Sequence, residues 1–142
     1  MPKKNQKAKI LGLAGYSGTP LPKKLGIKPD STVALIDAPD DFLETLGELP
    51  ENVRVCHNPR GKQTLAIWFV SSLHEYQARI RSISSTTEKI WIAWPKQASG
   101  VPTDLAERNV REVGLSFGLV DYKVCAIDAT WSGLLFSHRK TT

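Results

Sequence analysis

Three loops hold side chains whose types and spacing could do chemistry, and each follows an apolar run. After Val33-Ala34-Leu35-Ile36 comes Asp37-Ala38-Pro39-Asp40-Asp41, three carboxylates in five residues. Asp37, at the end of that run, could accept ribose hydroxyls or act as a general base. After Ile90-Trp91-Ile92-Ala93 comes Trp94-Pro95-Lys96-Gln97-Ala98-Ser99-Gly100, leading to Thr103 and Asp104. A helix opening at Thr103 would aim free N–H groups at the same point as Lys96 and Ser99, a pattern suited to one anion. Asp104 in its first turn already complements the helix dipole and competes with that anion. The third loop, Asp128-Ala129-Thr130-Trp131-Ser132, surrounds one large aromatic with polar groups. Trp131 is there either a stacking platform for a ligand or a lid over the core. The candidate ligand-binding set is thus Asp37, Trp94, Lys96, Ser99, Thr103, Asp128, Trp131 and Ser132.

Other chemistries lack their residues. The turn after the first run has no glycine, so the close backbone approach that a dinucleotide fingerprint needs is missing, and Pro39 removes a donor. Gly15 to Pro20 has two glycines but no lysine-serine pair and no preceding strand; it reads as a structured turn with Tyr16 anchoring the chain start. His57, His74 and His138 are far apart and pair with neither a nucleophile nor metal-ligand spacing. Cys56 and Cys125 sit singly in strand-like runs and read as reduced, buried thiols. The sequence assigns no cofactor and no metal.

The elements that must position these loops alternate. A short helix is expected over Leu21 to Leu25, stopped by Gly26. Strands are expected at Val33–Ile36, Val53–His57, Thr64–Val70, Ile90–Trp94, Tyr122–Ile127 and Leu134–His138. Between them, Asp40 or Asp41 caps a helix carrying Phe42, Leu43 and Leu46. Ser72 and Glu75 form a capping box before a helix with Leu73, Tyr76, Ile80 and Ile83 on one face. Thr103 caps a last helix with Leu105, Ala106, Val110, Val113, Gly114 and Phe117 inward, closed by Gly118. Alternation implies a Rossmann-like α/β fold in three layers with a mainly parallel sheet. The last two strands have no room for a crossover and form an antiparallel hairpin. The hairpin makes the C-terminal half resemble the sheet of S-adenosylmethionine-dependent methyltransferases, a methyltransferase-like layout with expected strand order 2-1-3-4-6-5. A hairpin between the second and third strands also fits their short connection.

With 142 residues the chain suits one domain, residues 15–142, behind a flexible basic arm, residues 1–14. Much of the net charge of +5 sits on Lys3, Lys4, Lys7 and Lys9, so the arm could contact nucleic acid weakly; without aromatics between the lysines it reads first as a solvated tail. No apolar stretch reaches the roughly 18–20 residues of a membrane span, and the N-terminal one is too short for a signal peptide. The expectation is a cytoplasmic protein with no membrane association and with its oligomeric state undetermined.

The segments GYSGTPLPKKLGI from Gly15 to Ile27, ALIDAPDDF, AWPK, NVREVGL and GLVDYKVCAIDATWSGLLF are distinctive. Through them the chain resembles, from Gly15 to Arg139, a bacterial family of small proteins catalogued as a domain of unknown function. The resemblance implies a compact α/β domain of the bacterial cytosol and carries over no activity, cofactor or catalytic residue. Where that family often has a second lysine this chain has Gln97, and where it often has an acid this chain has Ala129. A mechanism needing a lysine pair or a carboxylate pair at those loops is therefore disfavoured.

Three functions compete. The first is a non-enzymatic binding or regulatory module, presenting Trp94, Lys96, Thr103, Asp128 and Trp131 to an anionic small molecule or a protein. That is the expectation from sequence, because the cofactor turn is missing. The second is a transferase-like enzyme related in layout to the methyltransferases, with Asp37 or Asp128 as a polar or basic group. The third is weak nucleic-acid binding through the basic arm.

Overall fold

The computed structural model describes residues 18–57 and 61–139. Its order is α1 (Leu21–Lys24), β1 (Thr32–Ile36), α2 (Phe42–Leu46), β2 (Arg54–Cys56), β3 (Gln63–Phe69), α3 (Leu73–Ser84), β4 (Thr87–Pro95), α4 (Glu107–Ser116), β5 (Leu119–Ala126) and β6 (Trp131–His138). The six strands form one sheet in the order β2-β1-β3-β4-β6-β5. The first four run parallel, and β6 lies antiparallel between β4 and β5. The expected Rossmann-like layout and strand order are therefore present. The alternative hairpin between β2 and β3 is not: both pair in parallel with β1, one on each side.

The continuous apolar runs of β1, β3 and β4 follow from this arrangement, since strands covered by helices on both faces have no polar side to show water. One face carries Trp68, Tyr76, Ile80, Ile92, Trp94, Val110 and Phe136 under α3 and α4. The other carries Leu25, Phe42, Ile67, Phe69, Trp91 and Leu135 under α1 and α2. The short α1 is tied to the sheet by the Trp91 indole N–H, which donates to the Leu25 carbonyl at 2.8 Å. Gly114 lets α4 lie directly on Phe136, whose ring carbons stand 2.4 Å from where a side-chain Cβ would be.

Boundaries moved where tertiary pairing outweighed local signals. Both β3 and β4 start earlier than expected, at Gln63 and Thr87, because they pair with each other down to that level. The second strand is shorter than expected, ending at Cys56 opposite Ala34, two residues before β1 ends. Asp41 occupies the N-cap of α2 but its carboxylate makes no capping hydrogen bond. The last helix starts at Glu107, not Thr103, because Thr103 and Asp104 are used in the preceding loop. Cys56 and Cys125 are both free thiols, half-buried and buried. The basic arm and the Tyr16 anchor lie outside the described residues. No helix among the described residues is long and apolar enough to cross a membrane.

Tyr76 joins the two helices of the Trp68 face: its hydroxyl donates to the Val110 carbonyl at 2.8 Å. Burial pushes this phenol well above its ordinary range. A raised folded-state value means stability is complete below the unfolded tyrosine value and is lost as pH climbs past it. Above about pH 10 the loss should approach ~1.4 kcal/mol per pH unit. Thermal unfolding across that range reads this slope, and Tyr76→Phe should flatten it.

Candidate functional site

In a doubly wound sheet, ligands bind beyond the carboxyl ends of the strands, at the point where successive helices change face. Here that point lies between β1 and β3, because α2 covers the Trp91 face and α3 the Trp68 face. The chain's own side chains bridge it. Asp37, directly after β1, takes a left-handed conformation with φ 57°. Its carboxylate accepts from Arg79 Nη1 of α3 at 2.7 Å, and the same nitrogen donates to Glu75 at 2.7 Å. The Asp37 hydrogen bond, followed by that of Glu75, raises the guanidinium above its ordinary value against a desolvation effect that lowers it. The guanidinium also stands 5.4 Å from the centre of the Trp68 ring, whose buried Nε1 has no hydrogen-bond partner among the described residues. Asp37 is thereby engaged by Arg79, and the carboxylates left open in this turn are Asp40 and Asp41.

A cavity of about 270 Å³ lies beside this bridge, lined by Leu35, Ala38, Pro39, Asp40, Phe42, Leu43 and His57. It has a structural cause in the short β2, which leaves the end of β1 without a neighbour on that side. Asp40 and His57 are both exposed at its walls, while Leu35 and Phe42 are buried. The cavity therefore combines an apolar floor with one carboxylate and one imidazole, a mix suited to a small ligand of mixed polarity.

The expected anion site at Lys96, Ser99 and Thr103 has a different construction. A 3-10 turn spans Gln97–Ser99, and the Ser99 hydroxyl closes it by donating to the Lys96 carbonyl at 2.6 Å. The Thr103 hydroxyl donates to the Ser71 carbonyl at 2.7 Å and accepts from Leu105 N at 3.0 Å. Asp104 accepts from Leu73 N at 2.8 Å, so it caps α3, with Ser72 Oγ accepting from Glu75 N at 3.2 Å. These groups fasten two loops together; Lys96 is itself the N-cap of the 3-10 turn, and the last helix opens only at Glu107. Removing the remote cap with Asp104→Ala should destabilise the protein by about 0.5–2 kcal/mol, read as a lower denaturation midpoint.

Nor does the hairpin tip present its polar groups outward. Asp128 Oδ1 accepts from Thr130 N and Trp131 N, both at 2.8 Å, which shapes the turn. Trp131 packs edge-on against Phe69 at 5.0 Å, and Phe69 against Phe42 at 4.7 Å, so it acts as a lid over the core. Ser132 is half-buried within β6, opposite Trp94. Trp94 itself is 5% exposed and belongs to the other face, so the two tryptophans do not meet. Sequence reasoning placed the carboxyl edge but missed Arg79 and the pairing of Asp40 with His57 around one cavity. The i,i+4 spacing of Glu75 and Arg79 was the one available signal, and it spoke of helix pairing rather than of a bridge to β1. Among the described residues, no three His, Cys, Asp or Glu side chains cluster to hold a metal.

No protein-family model and no curated protein matches the chain. Solved structures do resemble it. Magnesium protoporphyrin IX methyltransferase from Synechocystis PCC 6803 aligns with TM-score 0.53 at 11% identity, covering 84% of this chain and 78% of that one. An S-adenosylmethionine-dependent methyltransferase from Aquifex aeolicus gives 0.51 at 13%, covering 80% and 85%. A putative type 11 methyltransferase from Sulfolobus solfataricus gives 0.51 at 13%, covering 85% and 90%. This likeness establishes the Rossmann-like methyltransferase fold. It also overturns the expectation of a non-enzymatic binding or regulatory module, since these neighbours are methyltransferases and favour the transferase-like alternative.

Proposed function

We propose that this chain is a transferase-like enzyme related in layout to the S-adenosylmethionine-dependent methyltransferases, with its ligand cavity beside the ends of β1 and β2. The observation that carries the reading is the extent of the likeness: 80–85% of this chain aligns with 85–90% of a methyltransferase and of a putative methyltransferase. The cavity supports it, because it lies beyond the carboxyl ends of the strands, where such folds hold ligands.

The residues fit the nucleoside end of such a donor and not a tail gripped by the first turn. The turn has no glycine, Pro39 offers no N–H, and Asp37 is engaged by Arg79. In the cavity, the apolar walls of Leu35, Phe42 and Leu43 would take a base, and the Asp40 carboxylate would accept ribose hydroxyls. When bound, such a donor supplies an electrophilic methyl group. His57, exposed at the same wall, would offer a ring nitrogen to the polar edge of the same nucleoside.

Titration calorimetry with S-adenosylhomocysteine tests this reading. Saturable binding is expected, weakened about 10-fold or more by Asp40→Ala and unchanged by Lys96→Ala. Absence of binding to this nucleoside and to S-adenosylmethionine would overturn the proposal.

A further inference from the structure

The far end of the molecule offers a second surface. On the Trp91 face, α1 and α2 pack against β1, β3 and β4, and no helix of the described residues covers the lower half of β6 and β5. Residues directly opposite one another in a sheet point to the same side. Lys123 is opposite Leu135, which is opposite Trp91, and Lys89 lies two residues before Trp91 on the same strand. Both lysines therefore stand on this open face. A bulge between Asp121 and Lys123 turns Tyr122 toward them: it is 59% exposed, with Lys89 Nζ 5.5 Å from its ring centre. Beside Lys89 a cavity of about 280 Å³ runs to Lys28, floored by Leu65 and Leu135, with Glu88 at its rim.

Burial does not explain these side chains. Lys28, Lys89 and Lys123 are exposed, and none is in an ion pair among the described residues. Tyr122 exposes most of a ring that ordinarily contributes to packing. Three lysines without an ion pair among the described residues, one of them over an exposed aromatic ring, match what an unpaired nucleic-acid strand requires. Lysines neutralise phosphates, and a ring takes the face of a base whatever its sequence. A duplex, whose bases are already stacked, would leave Tyr122 without a partner.

We propose that this open sheet face binds single-stranded nucleic acid, with a base stacked on Tyr122 and backbone phosphates held by Lys28, Lys89 and Lys123. The surface lies at the amino ends of the parallel strands, away from the β1/β2 cavity. Its success or failure is therefore independent of the transferase reading.

Fluorescence anisotropy of the full chain with a labelled ten-nucleotide oligouridylate tests it, with the matching oligodeoxythymidylate in parallel to distinguish RNA from DNA. Binding should weaken with salt, and the log–log slope should flatten by about 0.7 for each of Lys28→Ala, Lys89→Ala and Lys123→Ala. Tyr122→Ala should weaken binding about 5- to 150-fold, while Tyr122→Phe retains it. Thermal unfolding confirms that each variant is folded. Normal binding by Tyr122→Ala, or equal binding of a duplex, would overturn the stacking site. So would loss of binding only on changing Lys3, Lys4, Lys7 and Lys9 to alanine, or binding to phosphatidylserine vesicles without binding to either oligonucleotide.

Discussion

Trp91→Ala is expected to lower stability by about 3–5 kcal/mol, the range for emptying a buried aromatic site, and the melting temperature by on the order of 10 °C. The indole is fully buried in the centre of the sheet and touches both the strand layer and the α1 segment. Its N–H is also the acceptor-bound anchor of Leu25, so Trp91→Phe should cost a smaller amount, about 1–3 kcal/mol, by leaving that carbonyl unpaired. Urea unfolding followed by far-ultraviolet circular dichroism separates the two variants. A Trp91→Phe midpoint equal to that of the unsubstituted protein would show that the hydrogen bond to Leu25 contributes nothing.

Gly114→Ala is the second large effect, and its sign opposes the usual helix rule. In an exposed helix the change would gain up to about 1 kcal/mol. At this position the added methyl would meet carbons of the Phe136 ring at 2.4 Å, inside any permitted contact. Overpacking of this kind costs about 1–3 kcal/mol, so a net loss is expected. Phe136→Leu in the same chain should recover part of it, giving a coupling of about 0.5–3 kcal/mol in the double-mutant cycle. Strict additivity would place the strain elsewhere.

Residue pattern carried the fold further than the site. Runs such as Leu65 to Phe69 and the stripe Tyr76, Ile80, Ile83 declare covered strands and an amphipathic helix by composition and spacing alone. Connections carried part of the strand order, since a helix between parallel neighbours implies a crossover and the short link between the last two strands implies a hairpin; the equally short link between β2 and β3 did not distinguish a hairpin from two strands parallel to β1 on either side. The side chains at the carboxyl edge were harder because polar loop residues serve either ligands or the loops themselves. Thr103 and Asp104 satisfy backbone groups of a distant loop, a need fixed only when the two loops meet, while Asp128 closes its own turn by accepting from Thr130 N and Trp131 N. Arg79 joins Asp37 across 42 positions, which no local window contains. His57 came to share a cavity with Asp40 because β2 ends early, a consequence of pairing register rather than of propensity.

Nuclear magnetic resonance tests the central claim most directly, through amide shifts of the full chain titrated with S-adenosylhomocysteine. Saturating changes at Ala38, Asp40, Leu43 and His57, with Lys96 to Gly100 and Lys123 unmoved, are the predicted result. Changes confined to the Lys96 loop, or a spectrum that does not respond at all, would contradict a donor site beside β1 and β2.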